Sequence, residues 1–302
     1  MRTIILAGGY ATRLYPITAS RAKPLLPVAG KPIISYLLDS HSLPDRPIVS
    51  TNRRFAEQFA AWRDQFGYDV ELVVEETCTE EEKLGTVGAI TYLIQTLGLD
   101  EDLLIIGGDN IFEFSLRSFL DAYHGHPLIA LSDIGDIERV RGRYGVAVAK
   151  GGQIIEFQEK PQDPRSTLAS TACYIYPKEV LPYFREFVEE APTGKDAPGY
   201  LNAWLLKEKN LRMDAFIFDT RWYDIGDRAS YIEATQRYAN ADTWQGEDVT
   251  IESSVVKDSI LFDGVRIANA SITGCVVDHD VHLEGVTLSD CLIGENTVIK
   301  HT

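Results

Sequence analysis

From Thr3 to about Ala239, short apolar runs rich in β-branched residues alternate with longer stretches whose apolar positions recur every three to four residues. A two-residue period buries one face of a strand and a 3.6-residue period buries one stripe of a helix, so the pattern predicts strands and helices in turn. Strands are predicted over Thr3–Ala7, Pro47–Thr51, Val70–Val74, Asp102–Ile106 and Pro127–Leu131. Helices are predicted over Pro32–Ser40, Arg53–Phe66, Thr86–Leu97 and Ser115–His124. Gly145–Ala149 and Ile154–Gln158 flank Lys150-Gly151-Gly152 and read as a hairpin. A strand over Ala172–Tyr176, helices over Lys178–Glu189 and near Leu201–Lys209, a strand over Arg212–Phe218 and a closing helix over Arg228–Asn240 complete this region. The expected fold class is α/β, with a Rossmann-like, mostly parallel sheet sandwiched by helices.

After Asn240 the texture changes. Val249, Val255, Ile260, Val265, Ile272, Val276, Val281, Val286, Leu292 and Val298 recur every five to seven positions, and small or turn-forming residues precede most of them. This degenerate hexapeptide rhythm predicts a small parallel β-helix of about three coils, each of roughly 18 residues. A small β-sandwich or hairpin stack is the competing arrangement. The expected organisation is one domain over residues 1–240 and the coil over 248–302. With no clustered ionisable residues, the coil is expected to serve assembly and stability, packing against a copy of itself in a homo-oligomer.

The composition, 45% apolar and 25% charged over 302 residues, is that of a globular protein with a sizeable core. Its longest apolar runs, such as Ile4–Ala7 and Leu103–Ile106, are too short to span a bilayer, and the start lacks a secretory hydrophobic segment. No membrane association and a cytoplasmic location are therefore expected. Cys78, Cys173, Cys275 and Cys291 form no CxxC pair and read as reduced, buried residues. The six histidines, His41 among them, are expected at surface or structural positions. A net charge of −16 argues against nucleic acid as a partner. Residues 1–38 stand apart: Arg2, Arg13, Arg21, Lys23 and Lys31 occur there with no acidic residue, which marks a site for something anionic.

The chemistry is concentrated at Leu6-Ala7-Gly8-Gly9-Tyr10-Ala11-Thr12-Arg13-Leu14-Tyr15-Pro16, followed by Lys23-Pro24. A strand running into glycines offers backbone N–H groups to phosphate oxygens, and glycine permits the close approach. The P-loop pattern GxxxxGK[ST] is absent, as is the GxGxxG of a dinucleotide site, so a Walker ATPase and an NAD-linked oxidoreductase are disfavoured. Arg13 and Lys23 suit a polyphosphate. Ala11, beside Tyr10, is expected to mark a reshaped loop with ordinary backbone angles.

This stretch resembles the sugar nucleotidyltransferase family, which includes glucose-1-phosphate thymidylyltransferases and GDP-mannose pyrophosphorylases. Its pattern, LAGGxGTRLxP…KP, is matched except for Ala11. The resemblance continues through Leu84-Gly85-Thr86-Val87-Gly88-Ala89, Gly108-Asp109-Asn110, Arg143-Tyr144-Gly145-Val146, Glu159-Lys160-Pro161 and Trp222-Tyr223-Asp224-Ile225-Gly226-Asp227. It implies transfer of a nucleotidyl group from a nucleoside triphosphate to a sugar 1-phosphate, with Mg²⁺ as cofactor and a C-terminal left-handed β-helix. Arg13 and Lys23 would be catalytic. Leu6, Ala7, Gly8, Gly9, Glu75, Gly85, Thr86 and Asp109 would bind the nucleotide. Gly145, Glu159, Lys160 and Asp196 would meet the sugar phosphate, and Asp109 and Asp224 would hold the metal.

Asp227 is expected to cap the following helix. Asp196 stands in for an acidic stretch that many thymidylyl members carry. The base-facing position falls at Glu75 or Glu76, where a carboxylate suits the two adjacent donors of guanine. The wider resemblance leans to dTTP or UTP with glucose 1-phosphate, and GTP with mannose 1-phosphate is the alternative. A non-catalytic sensor or assembly subunit is a third reading, but loss of function should have eroded Arg13, Lys23, Asp109 or Asp224, and all four are present.

Overall fold

The computed structural model describes residues 1–40, 43–191 and 194–301. His41, expected at a surface or structural position, and Thr302, the last residue of the expected coil domain, lie outside the described residues. The chain forms two compact units. One comprises Met1–Gly9 and Leu38–Trp222, the other Tyr10–Leu37 and Tyr223–Thr302.

In the first unit nine strands form one sheet: β1 (Arg2–Leu6), β2 (Ile48–Asn52), β3 (Glu71–Glu75), β4 (Leu103–Gly107), β5 (Leu128–Asp133), β6 (Gly145–Lys150), β7 (Gln153–Glu159), β8 (Leu168–Tyr176) and β9 (Met213–Phe218). Their order is β3-β2-β1-β4-β8-β5-β9-β7-β6. Seven of these nine strands run in one direction, a mostly parallel sheet as expected, and β7 and β8 run against the rest. β3, β2, β1 and β4 run parallel, as does the β5–β9 pair. β8 is antiparallel to both β4 and β5, and β7 is antiparallel to β6 and β9. Alternating strand and helix patterns fix the elements, but pairing direction is settled by partners distant in sequence.

Helices α1 (Ala56–Phe66), α2 (Thr86–Leu97), α3 (Leu116–Asp121), α4 (Leu181–Glu190) and α5 (Pro198–Lys207) cover this sheet. Val87, Ile90 and Leu93 of α2, Phe184 and Phe187 of α4, and Leu201 and Leu205 of α5 join Ile4, Ile105, Ile129 and Tyr174 in one core. Ala215 of β9 packs against that core, so its neighbour Phe216 points to the opposite face. There Phe119 of α3 meets Phe216 edge-on at 5.3 Å. Helices therefore lie on both faces, as expected. No helix among the described residues is long and apolar enough to cross a membrane.

The second unit carries helix α6 (Arg228–Ala239) and the coil. Asp227 caps α6 as expected. Its side chain accepts the Ser230 N–H at 2.9 Å, and the Ser230 hydroxyl accepts the Asp227 N–H at 3.1 Å. The coil is three parallel sheets whose strands follow one another in rotation, beginning Trp244–Gln245, Thr250–Glu252 and Val255–Lys257. The expected repeat of about 18 residues is corrected to 16, the separation at which Ser254 and Ser259 accept the N–H groups of Ala270 and Cys275. Two of the three steps, 250 to 255 and 255 to 260, fall one residue short of a hexapeptide.

This repeat aligns Ile251, Ile267, Leu283 and Ile299 in one internal column and Leu261, Val277 and Ile293 in another. Its corners need left-handed backbone, and residues tolerant of it stand there. Asp248, Gly264, Asp280 and Asn296 share one corner, Ser253, Asn269 and Gly285 the second, and Asp258, Gly274 and Asp290 the third, all with φ between 47° and 73°. Asn, Asp and Gly adopt this region at low cost. The cysteines are free, and of the four Cys78 is exposed, contrary to expectation, because its loop leaves the sheet.

Candidate functional site

In the first unit, β1 delivers the glycine loop at the edge of its two parallel neighbours. Ala7 N–H donates to Ser50 O at 2.7 Å, and Gly108 N–H donates to Leu6 O at 2.8 Å. Below Gly8 lies a bracket that sequence reasoning did not single out. Asn52, fully buried, donates from Nδ2 to Gly8 O at 3.0 Å and accepts the Phe55 N–H at 3.2 Å. Glu75 is 5% exposed and accepts the Ser50 hydroxyl at 2.8 Å. A Cβ on Gly8 would stand 3.3 Å from Glu75 Oε1, whereas one on Gly9 would meet nothing within 4 Å. Gly8 thus admits the carboxylate, and Gly9 leaves room for a ligand to reach the backbone. Of the two base-facing candidates, Glu76 is exposed and paired with Arg53. Burial pushes the Glu75 carboxyl above its usual range, and the Ser50 hydroxyl opposes that shift.

Gly85 and Thr86 open α2. Gly85 has φ 76°, and a Cβ there would lie 2.5 Å from Asp196 Oδ1. Val87 N–H donates to Lys195 O at 2.8 Å, and Lys83 Nζ lies 3.7 Å from Asp196. Asp196, expected at the sugar, is therefore seated against Gly85, an expected nucleotide residue. Glu159 faces Gly145 across the β6–β7 ladder. A Cβ on Gly199, in the first turn of α5, would run into its carboxylate. Burial raises the Glu159 pKa, opposed by Lys160 and by the Gly199 N–H. Lys160 holds φ 43°, a costly backbone for lysine, with its N–H on Tyr144 O at 3.1 Å. Asp109 stands at the end of β4 and accepts from Asn110 Nδ2 at 2.7 Å. Asn110 in turn accepts the Trp222 indole N–H at 2.7 Å, so two residues orient that carboxylate.

In the second unit, Ala11 has φ 51° and ψ 44°, which corrects the expectation of ordinary angles. The left-handed backbone is held by Leu14 N–H and by the Thr18 hydroxyl, both donating to Ala11 O, at 3.0 and 2.9 Å. Arg13 follows in a 3-10 turn, Thr12–Leu14, and Lys23 heads another, Lys23–Leu25. A Cβ on Gly226 would lie 3.1 Å from Arg13 Nη2 and 3.6 Å from Asp224 Oδ2. The bare glycine therefore lets the guanidinium lie beside Asp224.

The reading of residues 1–38 as a single anion site is also corrected. Arg2 lies 3.6 Å from both Asp45 and Glu101. Arg21 pairs with Asp278, and Lys31 sits 4.3 Å over the Tyr36 ring. Three of the five cations, Arg2, Arg21 and Lys31, are thus engaged in structure.

Asp109 and Asp224 lie in different units, both half-buried. Among the described residues no group of three or more His, Cys, Asp or Glu converges. Hard carboxylate oxygens in such small number fit Mg²⁺, which takes one or two protein carboxylates and completes its shell with water and phosphate.

Residues 2–241 match a family described as nucleotidyl transferase. A protein of Sulfolobus acidocaldarius provisionally named a mannose-1-phosphate guanyltransferase is 31% identical over 179 residues, 59% of this chain and 49% of that protein. The match thus spans about half of that relative. A UTP--glucose-1-phosphate uridylyltransferase of Synechocystis is 26% identical over 95% of this chain and 74% of its own. A crystal structure from Bacillus anthracis, provisionally described as a glucose-1-phosphate thymidylyltransferase in complex with a sucrose, superposes with a TM-score of 0.66. It is 26% identical, and the match covers 80% of this chain and 96% of that one.

Ala11→Gly should relieve left-handed strain and raise the unfolding free energy by up to about 1 kcal/mol; a fall in denaturant midpoint would contradict it. Glu75→Gln tests the buried carboxyl. A raised folded pKa means that Glu75 supports folding below its unfolded pKa and that this support is lost as pH rises through the folded value. The melting temperature of the Gln variant minus that of the wild type should therefore grow from pH 4 to pH 8. A constant difference would show that Glu75 ionises freely.

Proposed function

The chain belongs to the nucleotidyl transferase family, among the sugar-1-phosphate nucleotidyltransferases, and on that premise we propose that it joins a nucleoside triphosphate to a hexose 1-phosphate, releasing pyrophosphate and an NDP-sugar. The observation that carries the reading is the glycine loop itself, with Gly8 clamped by Asn52 and Glu75 and Gly9 left open.

An oxygen of the sugar phosphate bonds to the α-phosphorus while the bond to the bridging oxygen breaks, and pyrophosphate leaves with that electron pair. Both reactants are polyanions, so repulsion is the main obstacle and positioning with charge balance supplies the rate. Arg13 balances the departing pyrophosphate, and Lys23 orients the triphosphate. Lys160 meets the sugar phosphate and Glu159 accepts a hexose hydroxyl. Mg²⁺ held by Asp109 and Asp224 would supply charge neutralisation at the α-phosphate. No general base is required, because the attacking oxygen is already ionised.

The first reading of substrate is dTTP or UTP with glucose 1-phosphate, supported by the extent of the likeness to the Bacillus anthracis and Synechocystis proteins. A specific observation favours a second. Glu75 is the buried carboxylate beside Gly8, and when ionised it can accept guanine N1–H and the exocyclic amine side by side.

Asp109→Asn or Asp224→Asn should lower kcat by about 10²-fold or more, and near-normal pyrophosphate release in either variant would remove that residue from the metal site. Pyrophosphate release should be measured with Mg²⁺ for dTTP, UTP, GTP, ATP and CTP against glucose 1-phosphate and mannose 1-phosphate. Turnover should stop with EDTA. A tenfold or greater preference for GTP with mannose 1-phosphate would replace the pyrimidine reading with the guanine one, and turnover of no pair would overturn the activity.

A further inference from the structure

Arg21 lies between the two cations assigned to the triphosphate, yet it is spent on the coil. Its Nη1 donates to Asp278 Oδ1 at 3.3 Å, and its guanidinium carbon stands 5.5 Å from the centre of the Phe262 ring. Phe262 and Asp278 occupy one column of the coil, one repeat apart, and each is 1% exposed. Two further contacts fasten the same stretch. The Ser20 hydroxyl donates to Glu295 at 3.2 Å. A Cβ on Gly294 would lie 3.0 Å from Pro16 Cγ, so the proline ring sits on bare backbone in the column that holds Asp278.

Helix α6 holds the segment from its other end. The fully buried Tyr231 donates to Pro27 O at 2.6 Å, and Arg228 binds Gly274 O and Asp290 on the coil.

Burying an ion pair costs desolvation that its attraction rarely exceeds, so such a pair is weak evidence for stability. Its consequence is geometric. A carboxylate fixed in a rigid stack of strands accepts a guanidinium in one place, and the backbone on either side must follow. Arg13 stands three residues before Pro16, and Lys23 two residues after Arg21.

We infer that Asp278 and Arg21 are positioning residues for nucleotidyl transfer: the coil, expected to serve assembly and stability, also seats the segment that carries Arg13 and Lys23. This rests on the activity proposed above. The coil is then part of the catalytic apparatus without contributing a group to the chemistry.

A double-mutant cycle with Arg21→Lys and Asp278→Asn tests this, reading kcat, KM and amide hydrogen exchange on the full chain. Arg21→Lys keeps the buried charge balanced while removing the planar fork. Each single variant should lower kcat per folded molecule at least fivefold, with KM for the sugar phosphate within twofold of wild type. Exchange across residues 10–23 should quicken, and the double variant should fall no further than the worse single. Unchanged kcat in Arg21→Lys, with or without a lower melting temperature, would make the pair merely structural and overturn the inference; if Asp278→Asn does not fold, Arg21→Lys decides. A wild type that turns over no triphosphate would defeat the proposed activity, whereas unchanged exchange over 10–23 would defeat the seating itself.

Discussion

The first unit is organised around the approach of a buried carboxylate to a residue without a side chain. Glu75 can reach the α-carbon of Gly8 only because three strands lie in one parallel register, with Leu6 beside Ser50 and Asn52 beside Glu75. Ser50 and Asn52 are two apart on β2, so both point to the same side of the sheet, where one holds Glu75 and the other holds Gly8 O. A slip of one residue would turn both side chains to the other face. The same β1 register sets Leu6 beside Gly107, two residues before Asp109. Parallel pairing at this edge therefore determines where the glycine loop and the Asp109 carboxylate stand.

Left-handed backbone is used in two different ways along the chain. In the coil it falls, Ser253 apart, on Asp, Asn and Gly, residues that meet it cheaply, and it makes the corners. At Ala11, Ala29, Lys160 and Ala172 it falls on residues that do not, and of these Ala11 and Lys160 stand within motifs assigned to substrates. These two are pinned by hydrogen bonds within their own units, Ala11 O accepting from Thr18 and Lys160 N–H donating to Tyr144 O. Strain held this way keeps a loop in one shape before a ligand arrives.

Much of this was legible from residue order alone. The helix at Thr86–Leu97 coincides with its apolar period, and Asp227 announced its cap. The reversal of β7 was legible in its hairpin with β6, but that of β8 was not, because β8 reads like any other apolar strand and its direction depends on β4 and β5. The coil was visible as apolar residues recurring every five to seven positions after Asn240, but a hexapeptide template hid the two shorter sides. Asn52 left only a faint trace, an amide closing the strand-forming run Ile48-Val49-Ser50-Thr51. Ala11 misled because the glycine that signals positive φ in relatives is missing here. The role of Arg21 left none, since its partner lies 257 positions away.

That separation bears on how the protein is made. Within the coil each strand meets its neighbour 16 residues away, so coils can add one upon another as they leave the ribosome. Segment 16–27 behaves otherwise: one of its seats, Asp278, is made 257 positions after Arg21, the residue it holds. Ser20 and Glu295 are 275 positions apart, a closure paid for in chain entropy and slow to find. The loop must wait, while the whole intervening sheet is made, for the surface on which it comes to rest.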